Sequence, residues 1–420
     1  MNVCLRLGGI PFLLLFYSLL MLAGCTTQQE GDRAQSTAPT AAPAAAAPPV
    51  PPTQPFQTAV ESAATALLNT AEKNPGVAAD TPRALMIDPL VDGNNAQRTA
   101  SSEAMGTQIG SVVKTKAKRL KLASFSLPTL QRKPLLLVGT LTPINAAGDA
   151  SAKPDVYRIC LSLIDTQTGK VIAKGTARAS MNTVDASPTP YFRDSPTSVK
   201  DKITDGYIGS CQRSKPGDDA DKIYLQTLAT SIAVNNAILA YDDGKVSQAR
   251  TNYRSAATMP GGDQKRVING LYLTSWKLKR QNEAADAFGK IVERGIQDQK
   301  LGVKFLFQPN SDSFVANSDL RAQYDLWLKV IAKQAAATQS CLLIVGHSGK
   351  SISETSNEQT LSERRADAIR IRLVRLNPAL KEKLMTEGRG SRETIVGTGT
   401  NDLRDAPDRR VEFSVQPTCA

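Results

Sequence analysis

The densest grouping of side chains able to do chemistry follows the apolar run Cys341-Leu-Leu-Ile-Val345: Gly346, the single histidine His347, then Ser348, Gly349, Lys350 and Ser351. One imidazole limits what this set can catalyse. A zinc site built on paired histidines, or a His-Glu-x-x-His arrangement, is ruled out. A serine hydrolase would need His347 as its base, and no Gly-x-Ser-x-Gly turn accompanies it. Gly349-Lys350-Ser351 after a strand has the ending of a phosphate loop, yet Ile344 stands five positions before Gly349, where the cradle needs a glycine. Ser111-Val-Val-Lys114 has the Ser-x-x-Lys spacing of acylating enzymes, but it sits in a helical stretch with no Lys-Thr-Gly after it. These absences argue against an enzyme and call for no cofactor or metal. They favour a binding surface.

Elements around that grouping suit binding. Cys341 to Val345 reads as a buried strand that Gly346 breaks into an exposed loop. A polar loop runs to about Thr360. Then comes a helix in which Leu361, Ala366, Ile369 and Leu373 share a face, with Ser362 as its expected N-cap. Strand end, loop and helix start therefore present one cluster: Ser348, Gly349, Asn357 and Arg365.

This block resembles the C-terminal domain of outer-membrane protein A. That family's pattern runs Gly-His-Thr-Asp, Asn, Leu-Ser-x-x-Arg-Ala and Arg-Arg-Val-Glu. The corresponding residues are Gly346-His347-Ser348-Gly349, Asn357, Leu361-Ser362 with Arg365-Ala366, and Asp408-Arg409-Arg410-Val411-Glu412. Val303-Lys-Phe-Leu-Phe-Gln-Pro-Asn310 is similar to the family's first strand and the loop after it. The resemblance implies a βαβαβ-like domain that grips the diaminopimelate of peptidoglycan stem peptides. Arg365 would hold the ligand carboxylate through two charge-assisted hydrogen bonds, with Asn357, Ser348, Gly349 and Asn310 completing the ligand-binding set. Gly349 stands where the family has the aspartate that meets the ligand ammonium, and a lost bond of that kind costs roughly 1.5–3 kcal/mol, or one to two decades of affinity. The step from Asn357 to Leu361 is also one residue longer than in the family.

At the other end, Ile10 to Ala23 is nearly all apolar and closes in Leu22-Ala23-Gly24-Cys25. The run is shorter than the ~20 residues a spanning helix needs and reads as a secretory signal over 1–24. Leu-Ala-Gly-Cys resembles a bacterial lipobox, which implies cleavage before Cys25 and its lipidation. Acyl chains at roughly 0.8 kcal/mol per buried methylene anchor such a terminus to a bilayer, and by resemblance to the sorting rule of enteric lipoproteins, Thr26 rather than Asp after the cysteine favours the outer membrane. Residues 25–55 are Ala, Pro, Thr and Gln with almost nothing to build a core. At the polyproline rise such a tether reaches ~90 Å.

Residues 56–222 alternate helix and strand signals. Val60, Ala64, Leu67, Leu68 and Ala71 mark one helix, Gln97 to Leu120 a longer one. Ala84 to Ile87, Leu135 to Leu141, Val156 to Ile164 and Val171 to Ala177 read as strands, the last two joined as a hairpin by Asp165-Thr-Gln-Thr-Gly169. This order resembles the α/β domain of curli-secretion lipoproteins and of lipoproteins that activate penicillin-binding proteins. Asn182 to Lys222 reads as a long polar surface loop. Residues 223–298 are helical, and Ala249 with Tyr253 and Ala284 with Phe288 repeat a small-x-x-x-aromatic step 35 residues apart, similar to tetratricopeptide repeats.

The formal net charge is +12. In an exported chain it points to acidic wall and lipid rather than to nucleic acid. After maturation Cys160, Cys211, Cys341 and Cys419 would be left. Of the three pairings open to four cysteines, Cys160 with Cys211 and Cys341 with Cys419 each stay within one expected domain. The expected fold class is therefore multidomain α/β plus α: a sandwich-like α/β domain, a short helical-repeat module and an OmpA-like domain over 299–420. The expected function is a lipoprotein on the periplasmic face of the outer membrane, docking on peptidoglycan and scaffolding periplasmic proteins. A second reading is an adaptor that activates a cell-wall synthase.

Overall fold

In the computed structural model, the residues described are 51–77, 81–145, 147–149, 154–349, 357–394, 408–416 and 418–419, the side chains of 357–359 excepted. Cys25, the signal segment and most of the tether lie outside them. Among the described residues no helix is long and apolar enough to cross a membrane.

Leucine- and valine-rich segments build a seven-stranded sheet from β1 (Thr53–Gln54), β2 (Arg83–Ile87), β3 (Val91–Asp92), β4 (Leu120–Ala123), β5 (Leu135–Ile144), β6 (Val156–Asp165) and β7 (Lys170–Ser180). Its order is β1-β7-β6-β5-β2-β4, with β3 beside β5. β5, β6 and β7 pair antiparallel, as the turn at Gly169 requires, and β2 pairs parallel with both β4 and β5. β5 is buried along almost its whole length, the mark of a strand covered on both faces. On one face lie α1 (Phe56–Ala71) and α2 (Ala100–Lys116), packed against Leu135, Leu137, Ile159 and Leu161. Thr99 caps α2, and the chain returns to strand at Leu120, so this helix is shorter than its basic tail suggested.

The other face is covered by the stretch expected to be a surface loop. Residues 182–222 hold α4 (Pro190–Asp194), which follows the short α3 (Leu127–Gln131), and α5 (Lys202–Gln212). Asp201 caps α5 through the amides of Ile203 and Thr204. Ile203, Tyr207 and Cys211 recur every fourth residue on its buried side, and Cys211 is disulfide-bonded to Cys160 of β6. Helical spacing was present there among many polar residues, and burial of four-spaced apolar groups decided the outcome.

α6 (Lys222–Gln226) leads to α7 (Leu228–Asp242), α8 (Val246–Ala257), α9 (Lys265–Lys277) and α10 (Gln281–Gln297), each packed on the next. Ala249, Tyr253, Ala284 and Phe288 are fully buried. Tyr253 lies so close on Gly270 of α9 that any Cβ there would strike its ring. Phe288 stacks on Trp327 of α11 (Ser318–Ala337), with centroids 5.4 Å apart and planes 8° apart, and the Trp327 indole donates to the Tyr272 hydroxyl at 2.6 Å. From Pro51 onward the chain forms one compact unit. A single apolar core continues across the boundaries placed at 222/223 and 298/299.

The C-terminal sheet has the order β10-β9-β11-β8, made of β8 (Lys300–Leu301), β9 (Cys341–Gly346), β10 (Leu384–Gly388) and β11 (Val411–Gln416). α12 (Asn357–Leu376) is the crossover between parallel β9 and β10, β11 runs antiparallel to β9, and Cys419 is disulfide-bonded to Cys341. Two expectations change. Residues 303–307 form no regular strand: Val303 and Phe307 make isolated bridges to Thr197 and Phe314. Ser362 is not an N-cap, because α12 already starts at Asn357. Ser362 is fully buried, and its Oγ accepts from the Gly390 amide at 2.9 Å.

Gly346 and Gly388 face each other across β9 and β10. A Cβ on Gly346 would collide with the Ser362 carbonyl, and one on Gly388 with the Ser362 hydroxyl. Two adjacent glycines thus let α12 lie directly on the strand ends. Gly346→Ala should destabilise the protein by about 1–3 kcal/mol through overpacking, read as a lower urea midpoint at unchanged slope.

Candidate functional site

The residues singled out by type and spacing gather at the β9 end where the two glycines bring α12 close. Arg365 projects from the third turn of α12 into that end and is 0 % exposed. Its guanidinium donates through Nε to the carbonyl oxygen of Ser311 (3.0 Å), through Nη1 to that of His347 (2.9 Å) and through Nη2 to that of Gln308 (3.1 Å). The Phe307 ring lies 5.4 Å from Cζ. Burial, with neighbouring Arg409, lowers its pKa to about 10, so it is charged at neutral pH. The expectation that Arg365 offers a free fork to a ligand carboxylate is not met in this arrangement. The side chain is sealed, and its bonds tie the turn at 308–311 to the β9 loop.

The remaining expected residues surround it unequally. Asn310 is exposed on the turn that Arg365 holds and adopts a left-handed conformation (φ 52°), which asparagine tolerates better than most residues. Ser348 is 3 % exposed. Its amide donates to the Gly390 carbonyl at 2.9 Å, while its Oγ has no partner. Gly349 is half-buried, with Arg409 the nearest group to any Cβ added there. Asn357 heads α12, and its side chain lies outside the described residues.

Four further residues carried no expected ligand role. The carbonyls of Gln308 and Ser311 complete the Arg365 cage, and main-chain oxygens leave no trace in residue type. Arg409 and Arg410, recognised as family motif residues, are buried beside it. Arg409 donates to the Phe307 carbonyl at 3.2 Å, and Arg410 pairs with Glu412 at 2.8 Å.

With this geometry in view, residues 306–407 match the OmpA family, and the C-terminal part of the chain is an OmpA-like domain. Similar solved structures include the peptidoglycan-associated lipoprotein from Burkholderia pseudomallei, at 21% identity and TM-score 0.24 over 27% of this chain and 89% of that one. An outer-membrane protein from Borrelia burgdorferi B31 follows at 25% identity and TM-score 0.21 over 28% and 88%. The periplasmic domain of Helicobacter pylori MotB stands at 21% identity and TM-score 0.22 over 28% and 71%. No curated protein matches the chain.

His347 is 1 % exposed with neither ring nitrogen hydrogen-bonded, its Nε2 4.0 Å from Glu412. Burial, reinforced by Arg410, lowers its pKa from 6.5 to about 4. The unfolded chain then binds more protons than the folded one between those values. Stability from the neutral imidazole is complete above pH 6.5 and lost as pH falls toward 4. Asp88, buried against the Tyr224 hydroxyl at 2.6 Å, works in the opposite sense: burial raises its pKa to about 6, so acidification relieves its penalty. Because His347 is the one histidine, its imidazole NMR signal isolates the first effect. We expect a midpoint near pH 4; titration at 6–7 would contradict the burial.

Proposed function

We propose that this protein binds peptidoglycan non-covalently through its OmpA-like domain and works in the cell envelope as a binding protein rather than an enzyme. The observation that carries the reading is the convergence of the family's separated motifs on one sheet end: Gly346-His347, Leu361-Ser362 and Arg365-Ala366 within the span matching the OmpA family, and Arg409-Arg410 just beyond it. The ligand is a stem peptide whose diaminopimelate carboxylate approaches the sheet end where Arg365 and Arg409 are buried. Asn310 and the backbone at Ser348 and Gly349 line its approach, and Arg365 keeps that surface in shape from behind. With Gly349 in place of the family aspartate, the ammonium side is held weakly.

The Leu22-Ala23-Gly24-Cys25 stretch supports a lipid anchor at Cys25 in the outer membrane, and the Ala/Pro-rich segment a tether to the wall. Small-x-x-x-aromatic spacing supports a tetratricopeptide-like character for α7 to α10, which, with the first sheet, would offer surfaces to periplasmic proteins. Co-sedimentation of the full chain with purified sacculi tests the reading. It should pellet with them and be released by free diaminopimelate-containing stem peptide. Protein that stays in the supernatant at low salt, or pellets without response to stem peptide, would refute it.

A further inference from the structure

A second concave site is distinct from the Arg365 cage but shares Arg410 with its surroundings: the loop after β3, the segment leading into α5, the helices α9 and α10, β8, and Glu393, Arg410 and Glu412 meet around a cleft of about 540 Å³. Its charge is lopsided. Lys200, Lys265, Lys300 and Lys304 line it against two carboxylates, Glu393 and Glu412. Two more cations on its wall are already answered, Arg294 by Asp263 at 3.0 Å and Arg410 by Glu412 at 2.8 Å. Lys200 and Lys265 have only loose partners, Asp205 at 3.6 Å and Asp298 at 3.4 Å. Lys300 and Lys304 form no ion pair among the described residues. The half-buried Lys304 ammonium has a single main-chain acceptor, the Phe192 carbonyl at 3.5 Å, and desolvation lowers its pKa to about 8.

An independent observation points the same way. Asn269 on α9 lines the cleft and is 0 % exposed. Its Oδ1 accepts from the Thr197 hydroxyl at 3.1 Å, and its Nδ2 has no acceptor. A buried amide donor left unpaired is costly, as is a desolvated cation whose acting carboxylate, Asp194, stands beyond ion-pair distance. An anionic oxygen in the cleft would answer both: it would pair the Asn269 amide and sit closer to Lys304 than Asp194 does. The cleft falls in the size range of small-molecule sites, larger than one inorganic ion requires.

We propose that this cleft binds a compact organic anion carrying at least two carboxylate or phosphate groups, held by Lys300, Lys304 and the Nδ2 of Asn269. Carboxylates of a small soluble polyacid and phosphates of an envelope saccharide share that chemistry. Isothermal titration of the full chain, with citrate as the carboxylate probe and pyrophosphate as the phosphate probe, separates the two sources by which binds more tightly. Saturable binding should weaken with salt. It should fall about tenfold or more in Lys304→Gln, the loss of one charge-assisted contact, and also in Lys300→Gln, whose exposed position leaves folding intact. Sacculus binding should not change in either variant, which keeps this site's failure distinct from that of the wall-binding reading. Absence of saturable binding to both probes, or equal affinities in wild type and both variants, would overturn it.

Discussion

A positive charge without water must be answered by oxygen, and around Arg365 three main-chain carbonyls supply the answer. Removing a guanidinium from solvent costs several kcal/mol, and hydrogen bonds to a charged donor return roughly 1.5–3 kcal/mol each. The balance holds only while the carbonyls of Gln308, Ser311 and His347 all point at one place. Those carbonyls belong to two loops far apart in sequence, and the guanidinium to a helix that follows both. One side chain therefore sets the relative position of three elements.

Close approach makes this geometry reachable. Gly346 and Gly388 admit α12 against the strand ends, and Ser362 closes the contact with a bond to the Gly390 amide. Behind the sheet, Phe305, Phe314, Tyr324 and Trp327 form an aromatic cluster with Tyr272 and Phe288 of the preceding helices. The site thus rests on packing that extends well beyond the OmpA-like span. The basic cleft lies along the same junction, built from residues on both sides of it.

Much of this was legible in sequence because it depends on side-chain pattern. The β6–β7 hairpin followed from alternation and a glycine turn, and the Cys341–Val345 run stood out as an unbroken apolar strand. Motif spacing placed Arg365 near Ser348 and His347. The direction in which Arg365 faces was not legible. A guanidinium near a helix start reads equally as a ligand hook or as an internal brace, and only the carbonyls it meets decide, groups that every residue carries. Likewise α5 was hidden because its apolar residues are diluted by polar neighbours, and residues 303–307, apolar enough for a strand, lack a continuous partner to pair with. The close approach of α12 explains why Ser362 became a buried acceptor instead of a cap.

The central claim is that Arg365 supports ligand binding by holding loops, not by reaching the ligand. Arg365→Lys keeps the charge and loses the fork that meets three carbonyls, so measuring thermal stability and sacculus affinity on the same variant tests it most directly. The account predicts that both fall together, with a stability loss of about 3–5 kcal/mol, as when one partner of a buried charge network is broken. A variant that melts like wild type yet no longer binds sacculi would contradict it, showing that the guanidinium meets the ligand itself.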